Sequence, residues 1–407
     1  MERLSLSDKQ QVKLGLSLGF LASITLIGYE VARSASYTLF KFDYGTENLP
    51  IVMTFIPLAA IASLFIYDLM LNKWGPKWTL MLSTLISAVT FFLCYIGLLF
   101  KVKLASGVLF VFREIYIVIL IEQYWSYINS GITKEMARQL NGPLIGISTL
   151  GSMVGGLLLG FATKSLGTLN MLLIPILLCI PAFFISHIIY KKFGEPMAQK
   201  KPHNFFKVTG LKSLFSNKRL SFLFFVIVFT QLVATVLDLA FQSRVQEAFP
   251  QLDEQTSKLG FFYGTLNGVA LFFQFILTPF LLRYVKPVTA FLFIPIVNLV
   301  LCSWSLVDMS IYSIGLALLM FKALDYSLFR ATKETFYIPL SFDERYRTKE
   351  IIDVFAYRTS KGMTSLSITL LKSFVRFSDL LYTGIATIGV GCWLFFAYKI
   401  KSENAEN

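Results

Sequence analysis

The sequence predicts an all-α integral membrane protein of about 12 transmembrane helices, arranged as two six-helix pseudo-repeats. Three observations predict it. The 407-residue chain is 55% hydrophobic and only 15% charged, whereas a soluble domain carries about 25% charged residues, so there is more apolar surface than a soluble core absorbs. The apolar residues arrive in blocks of about 20 or more, the length that crosses roughly 30 Å of hydrocarbon as a helix. Polar landmarks of the first half return in the second at a spacing of about 209 residues, the mark of internal duplication.

The spans follow in order. Span 1 (12–34) comes after the polar, mixed-charge stretch Met1–Gln11, which argues for a retained helix and against a cleaved leader. Lys73, Pro76 and Lys77 separate span 2 (50–71) from span 3 (76–100). Span 4 (104–130) is the most polar of the first six, with Arg113, Glu114 and Glu122. Span 5 (140–163) carries Gly142, Gly146, Gly151, Gly155, Gly156 and Gly160; small residues so spaced let helix backbones approach closely, and predict a packing seam able to slide. Span 6 (168–190) completes an N-terminal half, 1–190. The lysine-rich stretch 191–218 is the one long polar connection and reads as a basic linker. Spans 7 (219–246), 8 (258–282), 9 (286–306), 10 (309–330), 11 (351–375) and 12 (381–399) form a C-terminal half, 219–400, before a polar tail, 401–407.

The formal charge of +13 does not indicate a nucleic-acid partner, because the basic residues lie in short connections and not in a patch interleaved with exposed aromatics. They report orientation. About 24 Lys and Arg fall on the side that holds both termini and the linker, and about six on the other. The positive-inside rule then places both termini in the cytoplasm, and the chain reads as a multi-pass protein of a bacterial inner membrane. Cys94, Cys179, Cys302 and Cys392 sit inside apolar blocks without disulfide or metal-ligand spacing, and are expected to be small core residues. The chain shows no nucleophile constellation, no metal cluster and no phosphate-binding glycine loop, and its two histidines are His187 and His203. No enzyme, cofactor, metal or catalytic residue is expected. An intramembrane enzyme or lipid handler built on Glu114 and Asp238, and a scaffold or sensor that moves nothing, remain as rivals.

The informative residues are charges where lipid should be. Glu30 and Arg33 lie in span 1, Arg113, Glu114 and Glu122 in span 4, Asp238 and Arg244 in span 7, Lys322 and Asp325 in span 10, and Asp353, Arg358 and Lys361 in span 11. Facing lipid at mid-helix, each would cost roughly 2.5–3.5 kcal/mol, so they should face protein, water or substrate. Spans 1, 4, 7 and 10 hold most of them, whereas spans 3, 6, 9 and 12 have apolar centres, which separates inner helices around a wet chamber from outer, lipid-facing ones. The landmarks repeat in the same order: Lys73 as Arg283, Arg113 as Lys322, Glu30 as Asp238, and Thr133-Lys134-Glu135 as Thr348-Lys349-Glu350. The two signs are nearly balanced, and Glu30 with Arg33 or Lys322 with Asp325 could neutralise each other. A polyanionic substrate would draw on Arg33, Arg113, Lys322, Arg358 or Lys361. Proton coupling would draw on a carboxyl among Glu30, Glu114, Glu122 and Asp238. Alternating access between two halves, with a small-molecule substrate and the bilayer as partners and the chain acting as a monomer, is the function this pattern predicts.

The stretch Tyr326–Gly362 reads YSLFRATKETFYIPLSFDERYRTKEIIDVFAYRTSKG. It resembles the signature of the bacterial and plastid ATP/ADP translocases, a nucleotide transporter family related to the major facilitator superfamily. Thr332, Lys333, Glu334, Tyr337, Ile338, Pro339, Leu340, Lys349, Ile352 and Asp353 carry the resemblance. Arg113, Glu114, Trp125, Asn129, Ala137 and Arg138 extend it more weakly, and Asp238 stands where the family carries a Glu. The resemblance implies a major-facilitator-like fold and a nucleotide or other organic phosphate as substrate, exchanged or taken up with an ion. It also implies Glu114 and Asp238 as transport-critical acids, with Lys349 and Lys361 as basic partners. Asp68, Lys73 and Lys77 look like a degenerate form of the superfamily's gating loop. Lys333, Glu334, Lys349 and Asp353 read either as part of the substrate signature or as a latch at the cytoplasmic face. The chain departs from the pattern where nucleotide exchangers present a Lys-Asp pair after the span 1 arginine, since it has Ser36 and Tyr37, and at Arg330, where they more often have Asp.

Overall fold

The protein is described by a computed structural model that covers residues 6–196, 217–337, 352, 356–375 and 377–405, with Lys134, Arg358 and residues 403–405 defined in the backbone only. The regular structure among the described residues is helical: α1 (Asp8–Tyr44), α2 (Leu49–Leu99), α3 (Leu104–Gly131), α4 (Lys134–Leu166), α5 (Thr168–Phe193), α6 (Lys218–Ala248), α7 (Leu252–Tyr284), α8 (Pro287–Val307), α9 (Ile311–Phe336), α10 (Tyr357–Leu371) and α11 (Asp379–Ala405). Ten helices among the described residues are long and apolar enough to cross a membrane. Spans 2 and 3 are not separated by a loop as predicted. α2 runs through both, and the break is a kink at Gly75, whose φ of 75° only glycine adopts without strain. A Cβ there would also lie 2.9 Å from Glu195 Oε1. Glu195 in turn accepts the Lys77 backbone N–H at 2.8 Å, so the kink is held from the far end of α5.

Two helices predicted as uniform are interrupted by π-helical turns, Phe273–Leu277 in α7 and Asp325–Phe329 in α9. The two π segments pack against each other, and the wider turn carries Asp325 into the protein, where it is buried. Helix starts follow ordinary capping chemistry. Ser7 donates its backbone N–H to Gln10 Oε1 at the head of α1, and Thr133, first of the Thr-Lys-Glu triplet, caps α4 by accepting the Met136 N–H. Gln11 then accepts the Thr133 N–H at 2.9 Å, tying the start of α1 to the start of α4.

By internal packing the chain divides into two compact units. One comprises Met1–Asn48, Leu58–Pro202 and Phe249–Gly268, the other Leu49–Pro57, His203–Ala248 and Val269–Asn407. In the first, α1 packs on α3, α4 and α5; in the second, α6 packs on α9, α10 and α11, and α8 packs on α11. Compared with the sequence halves, the first unit gains the opening turns of α7 and gives up the opening turns of α2. The glycines explain the gain. A Cβ on Gly156 would lie 2.5 Å from the Gly264 nitrogen, and one on Gly260 would lie 2.6 Å from the Gly160 nitrogen, so α4 and α7 touch backbone to backbone. Ser257 adds a hydrogen bond of 2.6 Å to the Gly160 carbonyl. The opening of α2 meets α10 in the second unit, where Gly362 leaves room for Pro57.

The helices with apolar centres present large side chains outward: Leu85, Phe92 and Leu93, Ile180, Phe184 and Ile188, Phe293, Ile296 and Val300, and Ile388 and Phe395 are all exposed. A soluble protein does not display such continuous apolar faces; acyl chains cover them in a bilayer. The cysteines Cys94, Cys179 and Cys302 are buried, Cys392 is half-buried, and all four are free thiols.

Candidate functional site

Four ionisable residues of the first unit, Glu30, Arg33, Arg113 and Glu114, gather around the middle of α1. Glu30 is 3% exposed and lies one turn from Arg33, whose Nη1 is 3.4 Å from Glu30 Oε1. The spacing i, i+3 puts both on one helix face, so the pair expected from the sequence forms. Asn267 of α7 donates its Nδ2 to the same Glu30 oxygen at 3.2 Å. The Arg33 guanidinium lies over the ring of Tyr263, 3.8 Å from its centre, one helical turn before Asn267. A carboxylate, an arginine, an amide and an aromatic face are therefore gathered where α1 meets the opening turns of α7, with Arg33 retaining 13% of its side-chain accessibility.

Arg113, one of the bases named as a candidate for a polyanionic substrate, faces protein. It is 1% exposed, and its Nη1 donates to the Arg33 backbone carbonyl and to Ser36 Oγ at 2.7 Å. Its guanidinium is packed between the rings of Tyr37, at 4.2 Å, and Phe110, at 4.0 Å. Ser36 and Tyr37, the two residues that depart from the exchanger pattern, are thus the seat of Arg113. A lysine at residue 36 would set a second cation against the guanidinium. Glu114 stands at the outer edge of this group, with Oε1 3.6 Å from Arg113 Nε and accepting from the Tyr29 hydroxyl at 3.4 Å. Glu122, two turns further along the same face of α3, is exposed, as is Asn129 beyond it.

In the second unit, Asp238 is buried at the middle of α6 and Asp325 within the π turn of α9. Lys322 lies near the rings of Phe321 and Tyr326. Lys361 is half-buried on α10. Arg244 bridges helix ends, with contacts of 2.7 Å to Glu247 and 2.8 Å to Asp379 at the head of α11. Of the gating residues, Asp68 is hydrogen-bonded to Asn72 at 3.5 Å, and Lys73 and Lys77 lie over the neighbouring rings of Trp74 and Trp78. Lys333 and Glu334 close α9, where Tyr337 is buried. Lys349 and Asp353, with Ile338, Pro339 and Leu340 of the signature, lie outside the described residues, as does the side chain of Arg358. No group of three or more metal-ligating side chains is present among the described residues.

Sequence reasoning missed Tyr263 and Asn267, and it named Ser36 only as a departure from the family pattern. Tyr263 and Asn267 are uncharged residues in an apolar span, and a charge-based search passes over them. The available signal was Asn267 itself, an amide within the run FYGTLNGVALF, where an unpartnered side chain would be costly.

Residues 307–404 match the family described as the TLC ATP/ADP transporter, a stretch that contains the signature Tyr326–Gly362. No curated protein matches the chain. Among solved structures, the nucleoside transporter NupG superposes with a TM-score of 0.67 at 13% identity, over 96% of this chain and 98% of that one. A D-xylose-proton symporter gives 0.63 at 14% identity, over 95% and 97%, and a bacterial metal transporter 0.61 at 12%, over 94% and 98%. The chain therefore shares its fold with these solved structures, and over residues 307–404 it matches the family described as the TLC ATP/ADP transporter.

Proposed function

We propose that the chain is a secondary transporter for a nucleotide or another organic phosphate, working by alternating access, with Glu30 and Arg33 at its substrate or coupling site. The family match over residues 307–404 carries the substrate class. The cluster on α1 supports the mechanism. A phosphate oxygen that competes with Glu30 for Arg33 gains a charge-assisted hydrogen bond, and leaves the Glu30 carboxylate held by Asn267. A proton or cation taken up at Glu30 offsets that charge, so binding of the anion and of the coupling ion favour each other. Tyr263 fixes the plane of the guanidinium throughout. Asp238, in the corresponding position of the second half, is assigned the matching role from the other side of the repeat. Twelve spans in two halves of six, with both termini and the basic linker in the cytoplasm of a bacterial inner membrane, belong to the same reading.

A less charged solute is the second reading, favoured by Ser36. Exchangers of the resembling family present a Lys-Asp pair there, and here the hydroxyl is taken by Arg113. Flux into proteoliposomes tests both. The first reading expects saturable, trans-stimulated uptake of labelled ATP, ADP or a nucleoside monophosphate, reduced at least tenfold by Arg33→Ala. Uptake of free nucleosides or sugars without any phosphorylated compound would replace it with the second, and transport of no solute at all would overturn both.

A further inference from the structure

The second unit contains a cavity that belongs to no part of the transport pathway described above. It measures about 190 Å³ and opens where α6 and α8 begin and α9 and α11 end, with Leu223, Val288, Phe336 and Ile400 as walls and Arg219 at its edge. Apolar walls suit hydrocarbon and reject a nucleotide or a sugar. Among the described residues the charged surroundings are mostly basic. Lys218, Lys286, Lys399 and Lys401 are exposed and each adjoins a lining residue, whereas the adjoining acid is Glu334. A hydrocarbon slot with cations at its mouth, at the end of a membrane helix bundle, is complementary to a lipid that carries negative charge on its headgroup.

We infer that this cavity binds an anionic phospholipid, with part of one acyl chain between α6, α8, α9 and α11 and the headgroup phosphate held at the mouth by Arg219 and Lys286. Arg219 makes other interactions, and its five donors allow a phosphate to be added to them. The lipid joins the starts of two helices to the ends of two others, so it stabilises the basic end of this unit. The inference is independent of what the protein transports, because none of these residues lies in the α1 cluster.

Native mass spectrometry of the full-length protein, delipidated and titrated with phosphatidylglycerol or phosphatidylcholine, provides the test. The wild type should retain the anionic lipid with a preference of roughly tenfold or more. The double variant Arg219→Ala/Lys286→Ala should lose that preference while still binding phosphatidylcholine weakly, and Val288→Trp, which fills the cavity, should lose both lipids. Phosphatidylglycerol should raise the thermal midpoint in the wild type and not in Val288→Trp, whereas any shift with inorganic phosphate should be the same in both. Equal retention of the two lipids by the wild type, retention unaffected by Val288→Trp, or a phosphate-induced shift that Val288→Trp abolishes would each overturn the inference. Thermal midpoints measured without lipid identify a variant that has failed to fold, and Val288→Phe then replaces Val288→Trp.

Discussion

Arg113 shows how little a charge reveals of its use. A guanidinium at mid-helix in a membrane protein must be satisfied by protein or water, and here it is absorbed by α1: a backbone carbonyl, a serine hydroxyl and two aromatic faces. Its expected role is to join α3 to α1. Arg113→Ala removes those bonds and leaves Glu114 without its cation, so a loss of about 3–5 kcal/mol is expected, read as a lower thermal midpoint in detergent whatever substrate is present. A variant of wild-type stability with selective loss of phosphate transport would return Arg113 to the substrate site. Glu30 makes the opposite prediction. Glu30→Gln preserves the hydrogen-bonding shape beside Asn267 but cannot take up and release a proton, so exchange of substrate for substrate should persist while gradient-driven uptake fails. Equal loss of both modes would mean that Glu30 contacts substrate directly. The Glu30–Arg33 pair was legible in the sequence because it is local, three residues apart on one helix. The partners Tyr263 and Asn267 were not, because tertiary packing brings them to the pair and neither carries a charge.

For the helices, the glycines of α4 were legible as a group and not individually. Their spacing predicts a seam, and the structure divides it between two neighbours. Gly151 and Gly155 meet the backbone of α1 at Ser23 and Ile27, Gly156 and Gly160 meet α7, and Gly142 faces open space. Gly156→Leu and Gly260→Leu should each destabilise by about 1–3 kcal/mol or more, since the obstructing atoms are backbone and cannot rotate away. Gly142→Leu should fall within about 0.5 kcal/mol of wild type. Thermal unfolding of the three purified variants checks the order, and a destabilised Gly142→Leu would contradict this account of the seam. The kink at Gly75 and the two π turns escaped the sequence reading for a related reason. A π turn adds one residue to a helix without altering its apolar character, so hydropathy sees a continuous span.

The distribution of positive charge makes the prediction for the molecule as a whole. If the lysine-rich side is cytoplasmic, single cysteines at Ser7 and Ser402, in a background with Cys94, Cys179, Cys302 and Cys392 replaced, should react with an impermeant maleimide only in inside-out vesicles. A cysteine at Lys103 should react only in right-side-out vesicles. The reverse pattern would invert the topology and with it the direction of transport.

Length and composition determined, without any structure, that this chain lies in a membrane as helices, since the thickness of the bilayer and the need to satisfy every backbone group leave few alternatives. The signature at Tyr326–Gly362 gave the family resemblance in the same way, because it is a property of residue order. Tertiary structure alone decided which charges are buried in packing and which keep some exposure, which glycines touch which neighbours, and where helices bend. Those outcomes depend on contacts between residues far apart in the chain, whose side-chain distances are set by packing and leave no periodic trace in the sequence.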